Sequence, residues 1–264
     1  MKKWKMILVL LLAILCLTAA HAEVQSGRYM KVDDSHTDDG YITVQRLETE
    51  KKLMVVVKRF DYEVEYPLDE ETVVLPLQFG YGTYDVQLYE VSESEDEETR
   101  ATSLLDSISV SASMEDNLAC FLHPNIYVQY SPDSPWVQKA EELTRGITDL
   151  VKKCTAINDY IADKFMYDYI KTVTVPQDAL PDVQTCWDCR MGNDQDLAAL
   201  CCAMIRSRGI PAMLFKGSYT YGRPAYWVLA VLDKESIVLN PIEKMYVASK
   251  EDMIQYLFNE AIAY

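Results

Sequence analysis

The run GNDQDLAALCCAMIRSRGIPAMLFKG, Gly192 to Gly217, decides the fold. It reads as a loop, a helix, a tight turn and a strand. Asn193 is a strong N-cap residue with Asp196 three positions on, close to a capping box. Leu197, Leu200, Cys201, Met204 and Ile205 fall on one helical face. Ala198 and Cys202 widen that face, so the helix is predicted to be buried on most sides. Gly209 stops it and Pro211 forbids a restart. Ala212 to Phe215 is then a short apolar run suited to an interior strand.

On the N-terminal side, Ser134-Pro135 opens a helix as N-cap and first-turn proline. An apolar stripe from Val137 to Ile161 runs through one or two helices, with Gly146 as the break. A loop region carrying Pro176 and Pro181 follows, up to Met191, and Cys189 lies in it. Beyond the central helix, strands are predicted at Ala212–Lys216, Tyr226–Leu232 and Ser236–Leu239. Ser249 and Asp252 form a capping box for a final helix to about Ile262.

Residues 23 to about 118 read as all-β. The β-rich runs are Tyr41–Arg46, Leu53–Lys58, Tyr62–Tyr66 and Thr83–Glu90. In the last, Tyr84, Val86 and Leu88 alternate with Asp85 and Gln87. Glu93 to Glu98 is a solvated acidic loop. Strands at this spacing predict a β-sandwich. The expected division is 1–22 signal peptide, 23–120 β-sandwich and 121–264 mixed domain, giving an α+β fold.

The first residues carry the marks of an export signal. Lys2, Lys3 and Lys5 precede the apolar run Met6–Leu17, which is too short for a comfortable span, and Ala20-His21-Ala22 is an A-x-A cleavage site. The rival reading is an uncleaved anchor. Cys16 follows Leu15, too bulky for a lipobox. Cleavage would remove three lysines and no acid, taking the formal charge from −16 to −19. Such a chain repels nucleic acid and anionic membranes. The expected location is extracytoplasmic, secreted or at the cell surface, with no membrane span after cleavage.

Cys120, Cys154, Cys186, Cys189, Cys201 and Cys202 would remain. An even count permits disulfides, but Cys201 and Cys202 sit in the central helix and Cys154 in a helical pattern. Free buried thiols are the favoured reading. A single C-x-x-C, Cys186 to Cys189, does not make a zinc site, and no metal or cofactor is expected.

The pattern GxxxDxAxLxxAMxRSxGIPAxxxxG resembles the core motif of the bacterial transglutaminase-like superfamily, which has a papain-like fold. Leu75–Tyr89 and Phe121–Tyr130 resemble a subgroup of exported members with a preceding β domain. The resemblance implies a nucleophilic cysteine four positions before the motif alanine Ala198, a histidine in an H-A-W stretch and an acid in a D-P-T stretch. The matching residues here are Asp194, Ala225 (in Ala225-Tyr226-Trp227) and Asn240 (in Asn240-Pro241-Ile242). A triad enzyme needs a thiolate, a base and a group that orients the base. No histidine follows His123. A carboxylate at a helix N-terminus is held ionised, so Asp194 reads as a cap rather than an acid.

The resemblance thus implies an exported pseudoenzyme that binds a peptide, a cell-surface polymer or a protein. Trp227, Tyr226, Trp187, Tyr219 and Tyr221 are the candidate groove residues. The rival is an active cysteine enzyme using a relocated thiol, for which Cys189 is the candidate. A third reading is a structural module whose cleft has closed.

Overall fold

The computed structural model describes residues 24–47, 50–93, 100–176, 179–218, 224–233, 235–247 and 262–264. The export signal, the acidic loop beyond Glu93, Tyr219, Tyr221 and almost all of the expected last helix lie outside these residues.

Eight antiparallel strands come first. They are β1 (Val24–Ser26), β2 (Met30–Asp33), β3 (Tyr41–Arg46), β4 (Leu53–Arg59), β5 (Tyr62–Pro67), β6 (Thr72–Pro76), β7 (Gly82–Glu93) and β8 (Arg100–Ala112). They form two four-stranded sheets, ordered β1-β2-β3-β6 and β5-β4-β7-β8. Period-two alternation sends Ile42, Val44, Tyr84, Val86 and Leu88 inward, and the buried residues of both sheets join one apolar core.

One device holds the first hairpin to the second sheet. The β7–β8 register slips between Leu88 and Tyr89, leaving Leu105 unpaired in a bulge. The next residue, Asp106, accepts N–H groups from Arg28, Tyr29 and Met30 at 3.2, 2.6 and 3.0 Å. A Cβ on Gly27 would come within 2.5 Å of that carboxylate, so any other residue there would displace Asp106 from its three N–H donors.

A 3₁₀ turn (Ala119–Leu122) leads into the helices α1 (Pro135–Thr144) and α2 (Leu150–Lys164). The expected loop from Tyr169 to Met191 is instead largely helical: α3 (Tyr169–Thr174) and α4 (Val183–Cys189). Both start on an aspartate. Asp168 accepts from the Lys171 N–H at 2.8 Å, and Asp182 from the Thr185 N–H at 2.9 Å. Cys189 is the last residue of α4 rather than a loop residue. The two-residue strands β9 (Met166–Tyr167) and β10 (Met191–Gly192) pair in parallel and flank this segment.

The central helix α5 (Asp194–Arg206) is buried at every position. It packs on β11 (Ala212–Ser218) and β12 (Pro224–Val231) of a sheet ordered β14-β13-β12-β11-β15. The remaining strands are β13 (Ser236–Asn240), β14 (Met245–Val247) and β15 (Ile262–Ala263). Ile262, expected to end a helix, pairs as a strand with Lys216. Arg206 ties the far end of α5 together. It donates to Ala212 O, His123 O and Tyr264 O at 2.7, 2.7 and 2.8 Å.

Candidate functional site

The N-terminus of α5 is a saturated capping network. Asn193 and Asp196 form the full capping box. Asp196, 1 % exposed, also accepts the Asp182 N–H at 2.9 Å and pairs with Lys171 Nζ at 2.7 Å. One carboxylate thereby fixes α3, α4 and α5 relative to one another. Gly192 permits this approach: a Cβ there would meet Asp196 Cβ and Cys186 Sγ, each at 2.8 Å. Asp194 is 9 % exposed and its Oδ1 accepts from the Tyr167 hydroxyl. Thr172 Oγ1 donates to that same hydroxyl oxygen at 3.0 Å. Sequence reasoning missed Tyr167 and Lys171, because parallel pairing of β9 with β10 brings Tyr167 to Asp194 across 27 residues.

The sheet sorts the other positions. On β12, Tyr226 belongs to the main core shared with α5, whereas Ala225, Trp227 and Leu229 cluster with Val238 on the opposite face. Trp227 stacks on Phe215 with centroids 6.1 Å apart. Val228 pairs with Leu239, so the register continues with Trp227 beside Asn240. Ala225, Trp227 and Asn240 therefore share a face. They are 3, 4 and 3 % exposed. Asn240 Oδ1 accepts the N–H groups of Ile242 and Glu243, at 3.0 and 3.3 Å, and so orders its own turn.

Tyr226 and Trp227 thus point to opposite sides of the strand and do not line one groove, as neighbours on a strand never do. Trp187 lies elsewhere again. It is buried in an aromatic cluster with Trp136, Tyr160 and Phe165, with the Arg190 guanidinium 3.9 Å over its ring.

Among the described cysteines none is disulfide-bonded, and Cys189 alone is exposed. Burial, with the nearby Asp196 charge, pushes the Cys186 thiol up to about 12. Burial likewise raises Cys201 and Cys202. His123 stands against Tyr41, and its carbonyl is held by Arg206. That is the C-terminal end of α5, separated from Asp194 by about 18 Å of helix. His36 is stacked on the same Tyr41. Among the described residues, no group of three or more His, Cys, Asp or Glu is arranged to hold a metal.

The described residues line two pockets of note. One of about 400 Å³ lies between β4, β5 and Tyr264. The other, of about 260 Å³, lies along β6. Neither is lined by Asp194, Ala225, Trp227 or Asn240. Beside Asp194 the surface is apolar: Met166, Tyr169, Ile170, Val173 and Met191 are exposed, and α3 buries none of its residues. No described helix is long and apolar enough to cross a membrane.

Residues 137–235 match the transglutaminase-like superfamily profile. No curated protein matches the sequence. Among solved structures, a candidate cysteine protease from Cytophaga hutchinsonii is similar at 17 % identity, over 92 % of this chain and 80 % of its own, with a TM-score of 0.42. LapG from Legionella pneumophila is 12 % identical over 49 % of this chain and 71 % of its own, with a TM-score of 0.39. The periplasmic domain of TgpA from Pseudomonas aeruginosa is 11 % identical over 84 % of this chain and 95 % of its own, also at 0.39. Residues 137–235 of this chain are a transglutaminase-like domain, set behind a strand-rich N-terminal region in an α+β fold.

Proposed function

We propose that this protein is an exported transglutaminase-like protein without cysteine catalysis, and that it acts by binding a protein or peptide. One observation carries the reading. The positions matching the family's cysteine, histidine and acid hold a helix-terminal carboxylate, a methyl group and a turn-ordering amide, each at most 9 % exposed. Proton transfer from a nucleophile needs a base within reach. No histidine follows His123 in the sequence, and His123 stands at the wrong end of α5. The division into residues 23–120 and 121–264, and export by the first 22, belong to the same reading.

A binding role draws support from the exposed apolar surface at Met166, Tyr169, Ile170, Val173 and Met191. Exposed apolar side chains gathered on neighbouring elements, here β9, β10 and α3, are a common feature of interaction sites. Burial of Ala225, Trp227 and Asn240 supports a site that has closed, so a ligand would sit beside it rather than in it.

The test is incubation of purified residues 23–264 with glutamine peptides plus an amine donor, and separately with unfolded protein substrates. No crosslinking or hydrolysis is expected. Activity lost on Asp194→Ala or Cys189→Ala would overturn the reading. The second reading, a relocated thiol, is favoured by the exposure of Cys189 at the end of α4. A catalytic thiol there would react with iodoacetamide far faster near neutral pH than a free cysteine does.

A further inference from the structure

The pocket along β6 has features that neither folding nor the transglutaminase-like core explains. β6 is an edge strand, paired on one side with β3. The bonds Arg46 N–H to Glu71 O (2.9 Å) and Leu77 N–H to Gly40 O (2.8 Å) fix which pairs are hydrogen-bonded. In an antiparallel ladder these alternate, so Val73 and Leu75 also bond to β3. Thr72 and Val74 consequently turn their N–H and C=O groups outward, and both line the pocket. Among the described residues neither has a backbone partner on that side.

The opposite wall is the turn 124–130, closed by reciprocal bonds between Asn125 and Val128 at 3.2 and 3.1 Å. Asn125 Oδ1 accepts the N–H groups of Tyr127 and Val128, each at 2.9 Å. These two bonds settle the amide orientation: the acceptor is used, and the NH₂ must be Nδ2. Asn125 is 4 % exposed, yet Nδ2 has no hydrogen-bond partner. A buried donor left without a partner is costly, so a ligand that satisfied it would be favoured. Thr72 and Val74 of the edge strand and Asn125, the residue with the orphaned donor, therefore line one groove. Its volume of about 260 Å³ falls below the roughly 300–1,000 Å³ of small-molecule sites, and suits a stretch of extended backbone.

We propose that this groove is a docking site for an extended cationic peptide, which adds as a strand on β6 and gives a carbonyl to Asn125 Nδ2. Main-chain bonds to Thr72 and Val74 supply register, as in other strand additions. The sign of the charge follows from Glu70, which lines the groove, and from its sequence neighbours Asp69 and Glu71. Asp69, Glu70 and Glu71 precede the strand, and Asp69 and Glu70 have no ion-pair partner among the described residues. The net charge of −16 opposes a second copy of the chain as the occupant. The inference goes beyond the function proposed above and holds with or without catalysis.

The probe is a capped heptapeptide alternating threonine or valine with lysine, titrated into ¹⁵N-labelled residues 23–264. Shifts are expected at the Thr72 and Val74 amides and at the Asn125 side-chain NH₂, weakening as salt rises. Val74→Pro removes an outward N–H without touching the β3 ladder, where an edge proline is tolerated. It should weaken binding about tenfold, the loss of one hydrogen bond near 1.4 kcal/mol. Asn125→Asp keeps the acceptor that closes the turn and removes the donor, with a similar loss expected at high salt, where the added charge's attraction for lysine is screened. Unchanged affinity in both variants, or no binding up to about 1 mM peptide, overturns the inference. Shifts confined to α3 would also overturn it while supporting the proposed function. Concentration-dependent self-association that occupies β6 would assign the edge to a second copy instead, and would equally overturn it.

Discussion

Replacing Arg206 with methionine isolates the contact that joins the central helix to the rest of the chain. The guanidinium is almost fully buried and reaches three segments: Ala212 O on β11, His123 O before α1 and Tyr264 O beyond β15. Two of those carbonyls keep another donor after the change. Tyr264 O accepts the Leu214 N–H at 3.0 Å, and Ala212 O the Cys202 thiol at 3.4 Å. His123 O is left to carry the desolvation penalty of about 1–3 kcal/mol. Losing two charge-assisted bonds at about 1 kcal/mol each, after allowing for the buried charge that is also removed, brings the expected cost to roughly 3–5 kcal/mol. For a chain of this size that is a fall in Tm of roughly 6–20 °C. Arg206→Lys should lose nearly as much, because one ammonium cannot reach three separated carbonyls. Urea unfolding with matched m-values measures the cost, and limited proteolysis reports whether Tyr264 still docks against Tyr127. A loss under about 1 kcal/mol, with Tyr264 still protected, would refute the reasoning.

Three further outcomes follow from particular contacts. Native protein lacking the first 22 residues should react with a thiol reagent at Cys189 alone, and at all six cysteines in denaturant, since burial raises the others; a second fast native thiol would contradict this. Burial, opposed by Asp39 and aided by Arg206 and His36, holds the His123 imidazole below its ordinary value. Its stabilising contribution is therefore complete above about pH 6.5 and is lost as pH falls through that value toward the folded one; His123→Phe should flatten the stability profile between about pH 7 and 5 relative to wild type. Asp106→Asn should cost about 1–3 kcal/mol by weakening three N–H contacts to a carboxylate, read as a lower urea midpoint at unchanged m.

How legible these features were in the sequence depended on how far each signal travels. The helix over Asp194–Arg206 was readable because cap, periodicity and stop all lie within its own residues. The strands at Tyr41–Arg46 and around Tyr84, Val86 and Leu88 were readable for the same reason, through alternation. β8 was missed: its buried Ile108, Val110 and Ala112 alternate with serines, and Asp106 makes sense only beside a hairpin some eighty residues earlier. α3 was missed because it buries nothing and so carries no apolar period, although Asp168 offered a local cap. Lys171 with Asp196 and Tyr167 with Asp194 arise from tertiary packing, which no window of sequence contains. The grouping of Tyr226 with Trp227 failed for a reason the sequence did contain, since a strand's period of two separates them.

The use made of the α5 N-terminus bears on whether the family's chemistry could be restored. In a cysteine enzyme the positive end of this helix stabilises a thiolate. Here it faces the Asp194 carboxylate, which also accepts from Tyr167. Asp194→Cys alone gives up that hydrogen bond and the favourable helix-end charge, for a loss of roughly 1–3 kcal/mol, and gains a thiol with no base. Adding Ala225→His and Asn240→Asp supplies the residue types but not the room. An imidazole replaces a methyl group at a position 3 % exposed, and overpacking a site of that kind costs about 1–3 kcal/mol more. The triple variant is therefore expected to remain inactive on glutamine peptides and to unfold at lower urea than Asp194→Cys. Measurable acyl transfer by it would mean that Ala225 and Asn240 face an open cleft in solution, and the case for a closed site would fall with that result.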